Sequence, residues 1–474
     1  MDHPTQAVLE PAPVARSHDS LAVALGNASL LGVGYVMMGR RKLFVVTGLV
    51  TIALVVLLVS VRSVWVEVLL LVWWAALIAH GWSVAGGRGQ RVVVRRQRLI
   101  ALGITVAVLL AVALLRFDAA RIERTVTEAR QSGDCARAVT ALDGLWLGHR
   151  VADAPMTARG GTTIEACQRL RMAKDKLSAA VTGDIEALKA GFAGLAAVLA
   201  QLPGHERMVE VVLDGFLGGL PAKNPCHTVE VTDWLRQRQA SNNALDRSVA
   251  VIARTAPAAL VGCADTFMGA KDWQKARALY QRVPDQFPGH ELTAKAQEGV
   301  KQATLAIELA TVRGLLRGST STEPAYCSRP ARYSGAAAQG AGTNRALIYG
   351  NEEYTSKLPA EWRATDAADA VLVVCVGAKE FGTPVRTCPY QNKLSRQFPT
   401  NVTFHKIAIP VKVYELRTGN VVADTKVEID GASCPKVLTY SRPSGLIDIG
   451  PPSKVYVTAS DDDVRGGFSS LINR

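Results

Sequence analysis

No cysteine occurs among the first 134 residues, whereas eight follow, at Cys135, Cys167, Cys226, Cys263, Cys327, Cys375, Cys388 and Cys434. None of them stands in a C-x-x-C pair, so neither a zinc knuckle nor a thioredoxin-type redox centre has a local motif to rest on. Also missing are H-E-x-x-H, G-x-S-x-G, a Walker loop and a G-x-G-x-x-G following a strand. Their absence removes the readable signatures of zinc proteases, α/β hydrolases, P-loop NTPases and dinucleotide enzymes. Acidic residues are scarce at the start: residues 1–116 hold 11 Lys+Arg against 4 Asp+Glu, so a net +7 of the total +13 lies in a quarter of the chain. A basic excess gathered beside apolar runs orients a membrane protein and does not read as a nucleic-acid surface.

Charge is wholly absent from residues 43–61 (LFVVTGLVTIALVVLLVSV) and 99–115 (LIALGITVAVLLAVALL). Each is long enough to cross a hydrocarbon core of about 30 Å at about 1.5 Å per residue. Residues 64–85 form a third such run, with Trp65 and Trp82 near its ends and Glu67 one turn inside, where it reads as a surface-reaching acid. Three transmembrane helices are therefore predicted within 43–116. Residues 21–38 are apolar but broken by Gly26, Asn27, Gly32 and Gly34, and read as an interfacial or re-entrant piece of the N-terminal segment 1–42.

Orientation follows from arginine. The loop 87–98 carries Arg88, Arg91, Arg95, Arg96 and Arg98 with no acid, and Arg40, Arg41 and Lys42 precede the first span, while the turn between the first two spans has only Arg62. The positive-inside rule then puts the N-terminus and the 87–98 loop in the cytoplasm and everything from residue 117 outside it. No A-x-A site ends the first run, so it is not read as a cleaved signal peptide. On an oxidising side an even cysteine count implies disulfides. Nearest-neighbour order pairs Cys135 with Cys167, Cys226 with Cys263 and Cys375 with Cys388, leaving Cys327 with Cys434. Only the 375–388 pair has a local argument, a hairpin turning at Gly382.

Residues 117–316 are rich in Ala, Leu, Arg and Glu, with apolar residues three and four apart, and predict amphipathic helices. QLPGHE at 201–206 returns as QFPGHE at 286–291, each time closing one helix and opening another. The stretch ALVGCADTFMGAKDWQKARALYQRVPDQFPGH resembles a tetratricopeptide repeat through Leu260, Cys263, Ala264 and Phe267 on a first helix and Ala276, Tyr280, Val283 and the closing Pro288 on a second. The resemblance implies stacked helical hairpins and a habit of binding peptides or partner proteins.

Residues 317–344, rich in Gly, Ser, Pro and Ala, read as a linker. Beyond it the period becomes two. His405, Ile407, Ile409, Val411 and Val413 share a face that continues, after Thr418-Gly419-Asn420, through Val421, Ala423, Thr425, Val427 and Ile429. Pro410 suggests an edge strand or bulge, and His405 a satisfied core histidine. PAEWRATDAADAVLVVCVG reads as a helix feeding a buried strand, and the tail from Ser460 as a helix with Asp461, Asp462 and Asp463 complementing its dipole. The strand phrase VKVYELRTGNVVADTKV resembles part of the envelope lipoprotein domains of the curli-assembly and penicillin-binding-protein-activator type. With NRALIYGNEEYT and DAADAVLVVCVG, and with the membrane helices and repeat region, the chain resembles a streptomycete/actinobacterial family of multi-pass membrane proteins with an extracytoplasmic tetratricopeptide-like region. That resemblance implies architecture and source and brings no active-site residues.

The expected fold is multi-domain: transmembrane α-helices, an all-α helical-hairpin region (117–316), and a small α+β domain (345–474). The expected function is that of a membrane-anchored interaction or scaffold protein of the cell envelope with a protein or peptide partner. No cofactor, metal, nucleic acid or small-molecule substrate is expected. A cell-wall or lipid-acting enzyme and an envelope sensor are the alternatives.

Overall fold

The computed structural model of the chain describes residues 19–61, 63–86, 95–318, 322–391, 399–440 and 450–473. They form a mainly helical chain followed by a mixed β-sheet, in two compact units, residues 1–256 and 257–474.

The first unit begins with two short helices, α1 (Ser20–Ala28) and α2 (Val33–Met37). Three helices of membrane-crossing length and apolarity follow: α3 (Arg41–Val61), α4 (Val64–Val84) and α5 (Arg95–Ser132). The first two match the predicted runs to within two residues. The third run is only the first part of α5, whose 38 residues span about 57 Å. Hydropathy ends at Arg116, but FDAARIERTVTEARQS continues in good helix formers, so the backbone has no reason to stop there. A fourth stretch, Ala244–Gly269, also meets the length and apolarity criteria, yet 56% of its apolar window is buried in protein against 11–17% for the other three.

Beyond α5 come α6 (Cys135–Asp143), α7 (Leu147–Ala152), α8 (Ala154–Ala180), α9 (Ile185–Gln201), α10 (Glu206–Gly218), α11 (Pro225–Gln237) and α12 (Ser248–Gly269), which crosses into the second unit. Asp134, Asp153, Asp184 and Asn224 cap α6, α8, α9 and α11 by accepting backbone N–H groups. The expected Cys135–Cys167 disulfide is present and ties α6 to α8, with Met208 of α10 against both sulfurs. Asp246, in the 3-10 turn before α12, accepts N–H groups of Ser241 at 3.0 Å and Asn242 at 2.8 Å and the Arg238 guanidinium at 2.5 Å. These donors, the Ser241 N–H foremost, push its pKa down to about 2. An unfolded aspartate titrates near 3.9, so this group contributes stability that is complete above about pH 4 and is lost as pH falls through about 2. Asp246→Asn should flatten that part of the acid-unfolding curve, measured as the denaturation midpoint against pH. Parallel curves for the two proteins would show that the carboxylate contributes nothing.

In the second unit α13 (Trp273–Gln286) and α14 (Thr293–Leu315) form a hairpin. Its turn repeats the backbone of the turn between α9 and α10. Leu202 and Phe287 both end a helix near φ −130°, and Gly204 and Gly289 both follow at φ +83° and +80°. Glycine takes that left-handed conformation without the Cβ penalty.

The sheet comprises β1 (Ala346–Tyr349), β2 (Leu372–Val376), β3 (Glu380–Tyr390), β4 (Thr400–Glu415), β5 (Val421–Ile429) and β6 (Lys454–Tyr456). The sixteen-residue β4 is its spine: β2 and β3 run antiparallel along one side, while β5 and β6 occupy the other. Pro410 is therefore on a central strand, not an edge. Its carbonyl accepts the Gly377 N–H, so its missing donor points at the break between β2 and β3, where a ladder bond is interrupted anyway. Short helices α15 (Ala325–Ser328) and α16 (Glu352–Thr355) and the final α17 (Asp461–Ile472) complete the unit. Ser460 caps α17, and its side chain and backbone N–H reciprocate with Asp463. The helix expected over PAEWRATDAADA is a 3-10 turn at Ala360–Trp362 and then irregular chain. Asp366 stops it there by accepting the Ala368 N–H at 2.8 Å and the Arg313 fork.

Both faces of β1 and β2 are covered. One carries Ile348 and Val374, beside Ile409 of β4, in a core with Phe468 and Ile472 of α17, and the other carries Tyr349, Val373 and Cys375 in a core with Val312, Tyr326 and Ala336. The predicted linker 317–344 thus contributes core residues. Tyr326 is fully buried, edge-on to Tyr414, whose hydroxyl donates to the Cys327 carbonyl at 2.8 Å.

Two expected disulfides are corrected. The bonds are Cys327–Cys375 and Cys388–Cys434, not Cys375–Cys388 and Cys327–Cys434. Gly382 is no hairpin turn. The chain runs on from β2 into β3 with a bulge there, Thr383 binding Glu428 and His405 Nδ1 lying 2.8 Å from the Gly382 oxygen. Cys375 and Cys388 consequently face Lys412 and Val402, ten positions apart along β4, and project to opposite core clusters. Cys226 and Cys263 are disulfide-bonded as well.

Candidate functional site

The re-entrant reading of residues 21–38 corresponds to α1 and α2, a helical hairpin that starts and ends at the same end of the α3–α5 bundle. At its start the buried Asp19 pairs with Arg98 at 2.5 Å; at its finish the chain passes Arg40 into α3. Its tip lies at mid-height, where Trp74, ten residues from either end of α4, donates its indole N–H to the Ala28 carbonyl at 2.8 Å. Several other polar groups near the tip are met in the same way, although the buried Asn27 Oδ1 is not. Thr105 donates to Leu25 O at 2.6 Å, Ser29 to Gly26 O at 2.7 Å and Asn27 Nδ2 to Leu77 O at 3.2 Å, while Tyr35 Oη and His80 Nδ1 lie 2.7 Å apart. Non-helical backbone among apolar helices is tolerated only when protein satisfies it so. The glycines permit the fit, since a Cβ on Gly26 would meet Gly34 N at 2.8 Å and one on Gly34 would run into the Val23 carbonyl and Asn27.

Above the tip, toward the other end of the bundle, lies a cavity of about 620 Å³. Its floor is Ala28, Leu30 and Trp74; its walls include Leu58 of α3, Leu70 of α4 and Val108, Val112 and Ala113 of α5; its roof is Gly148, Val151 and Ala152 of α7. Among the described residues its only charged lining residues are Glu67 and Arg116, which form an ion pair at the rim. Arg116 Nε also donates to the Ala152 carbonyl at 2.8 Å, which fixes α7 over the opening. Glu67, expected from its place in the sequence to reach for the surface, meets Arg116 there in an exposed ion pair. The lining carries no Ser, Cys, His or Lys, so it offers an apolar volume with one guanidinium–carboxylate pair rather than a nucleophile and base.

The predicted site residues are distributed elsewhere. Arg40, Arg41, Lys42, Arg95, Arg96 and Arg98 lie around the hairpin's end of the bundle, and Arg88 and Arg91 fall outside the described residues. Among the repeat residues, Leu260, Ala264, Ala276, Tyr280 and Val283 are buried, Phe267 is half-buried and Pro288 is exposed just after α13. Tyr280 inserts its ring where Gly299 of α14 leaves room and donates its hydroxyl to Asp265 of α12. Burial and that carboxylate push the phenol well above its ordinary range. These contacts hold α13 against α14 and α12.

The C-terminal sheet offers a second surface. Among the described residues β3 is paired on one side only along its eleven residues, and Phe381 and Val385 project from it, 46% and 39% exposed. Phe381 stacks on Tyr456 at 4.3 Å between ring centroids. Among the described residues no group of three or more His, Cys, Asp or Glu side chains is placed to hold a metal ion. Compared with protein-family models, curated proteins and solved structures, the chain matches none.

Proposed function

We propose that the chain is a membrane-anchored scaffold of the cell envelope whose disulfide-bonded extracytoplasmic region binds a protein partner and performs no catalysis itself. The observation that carries this reading is the β3 edge: among the described residues β3 pairs only with β4, and the exposed Phe381 and Val385 mark where a strand of another chain would add. The arginine asymmetry around α3 to α5 supports an N-terminus in the cytoplasm, and eight bonded cysteines after residue 134 support an oxidising location for the chain beyond α5. The resemblance of residues 260–288 to a partner-binding repeat points the same way.

Two measurements test it. A photo-crosslinking amino acid at Phe381 or Val385 in intact cells should give a discrete higher-mass protein adduct that Lys301, exposed on α14, does not. Equal patterns at all three positions would defeat the partner reading. After reduction, a membrane-impermeant alkylating reagent should reach Cys388 and Cys434 in those cells. If only permeabilised cells react, the orientation is reversed.

A further inference from the structure

We propose that the cavity above the hairpin tip holds one acyl chain of a phospholipid from the surrounding bilayer, with its anionic head group seated on Arg116. This goes beyond partner binding and shares with it only the membrane embedding of α3 to α5. Size comes first: about 620 Å³ is comparable to small-molecule sites of roughly 300–1,000 Å³. The volume is half open, with its lining residues Leu71, Leu109 and Val112 exposed, so a molecule from the surroundings of these helices can enter it. The lining then selects the occupant, because Leu58, Leu70, Val108 and Val112 give water no hydrogen bonds, and hydrocarbon is the medium into which these helices are built.

The polar end is equally specific. Arg116 uses Nε on Ala152 and Nη2 on Glu67, which leaves the two N–H groups of Nη1 without a partner among the described residues. A guanidinium face of this kind suits a phosphate oxygen. Glu67 keeps the empty rim neutral and weighs against a doubly charged head group, so a phosphodiester fits best. The surroundings agree with a head-group level here: Phe117 on α5 and Trp146 and Leu147 at the start of α7 are 69%, 59% and 62% exposed, as apolar side chains are where a segment rests in the interface.

The full chain in nanodiscs of phosphatidylethanolamine and phosphatidylglycerol, doped with phosphatidylglycerol carrying a diazirine on one acyl chain, provides the test. On photolysis, adducts at Val112 and Ala113 should exceed those at the outward-facing Leu110 and Leu114 by about fivefold. Ala113→Phe should remove that excess, and Leu110→Phe should leave it. Arg116→Gln should reduce labelling by this probe but not by a diacylglycerol with the same chain. Native mass spectrometry of the unmodified protein, extracted in mild detergent, should show one co-purifying phospholipid. Even labelling of inward and outward positions, an excess that survives Ala113→Phe, or a cavity holding detergent alone would overturn the proposal. None of these outcomes bears on the β3 edge, so either reading can fail without the other.

Discussion

Replacing Cys327 and Cys375 together by alanine is expected to destabilise the second unit by about 2–5 kcal/mol, enough to unfold a marginally stable domain at growth temperature. The bond closes a 48-residue span and fastens the segment around Tyr326 to the strand β2, which is buried on both faces. Its loss frees the unfolded chain and also loosens the cover over Val373 and Tyr349. Native reduction should discriminate the two sheet disulfides. Cys375 is 4% exposed and lies in the core, whereas Cys388 stands on the open strand β3. Dithiothreitol should therefore open Cys388–Cys434 first, followed by differential alkylation and mass spectrometry. Simultaneous opening, or a double variant with an unchanged denaturation midpoint, would mean that α14 and the sheet hold this face unaided.

Gly34→Val should destabilise the α1–α5 bundle by about 3 kcal/mol, because the new side chain meets the Asn27 side chain and the Val23 carbonyl, the latter unable to yield without moving α1. Gly48→Val on α3, where nothing lies within 4 Å, is the matched control and should leave the bundle intact. Thermal unfolding in detergent, with monodispersity after extraction, compares the two. Equal melting temperatures would show that the hairpin is not wedged between α3, α4 and α5.

These expectations also mark which features are readable in the sequence. The three long apolar helices α3 to α5 are, because a charge-free run of about 20 residues predicts a helix of membrane-crossing length, and so is the α17 cap, which depends on Ser460 and Asp463 three positions apart. The echo QLPGHE and QFPGHE reports true turns because glycine after proline fixes a local conformation. The disulfides of the sheet are not legible. Gly382-Thr383-Pro384 has the composition of a turn, and only the pairing of Thr383 with Glu428, 45 residues away, makes it a bulge in a strand that continues. The cavity is hidden for the same reason, its lining being drawn from residues 28 to 152. One signal could have pointed to it. Glu67 lies just inside one end of its apolar run and Arg116 just past the end of another, and antiparallel neighbours bring those two positions to one level.

The continuity of α5 also joins the two ends of the first unit by one rod. From Arg98, where the buried Asp19 grips it, to its last residue, Ser132, the helix runs about 51 Å without a hinge. A tilt of about 10° around that grip would carry the far end by about 9 Å, more than the width of a strand pair. The Arg116 contacts with Glu67 and Ala152 grip the same helix a second time, between the Asp19 pair and α6, and so oppose such a tilt.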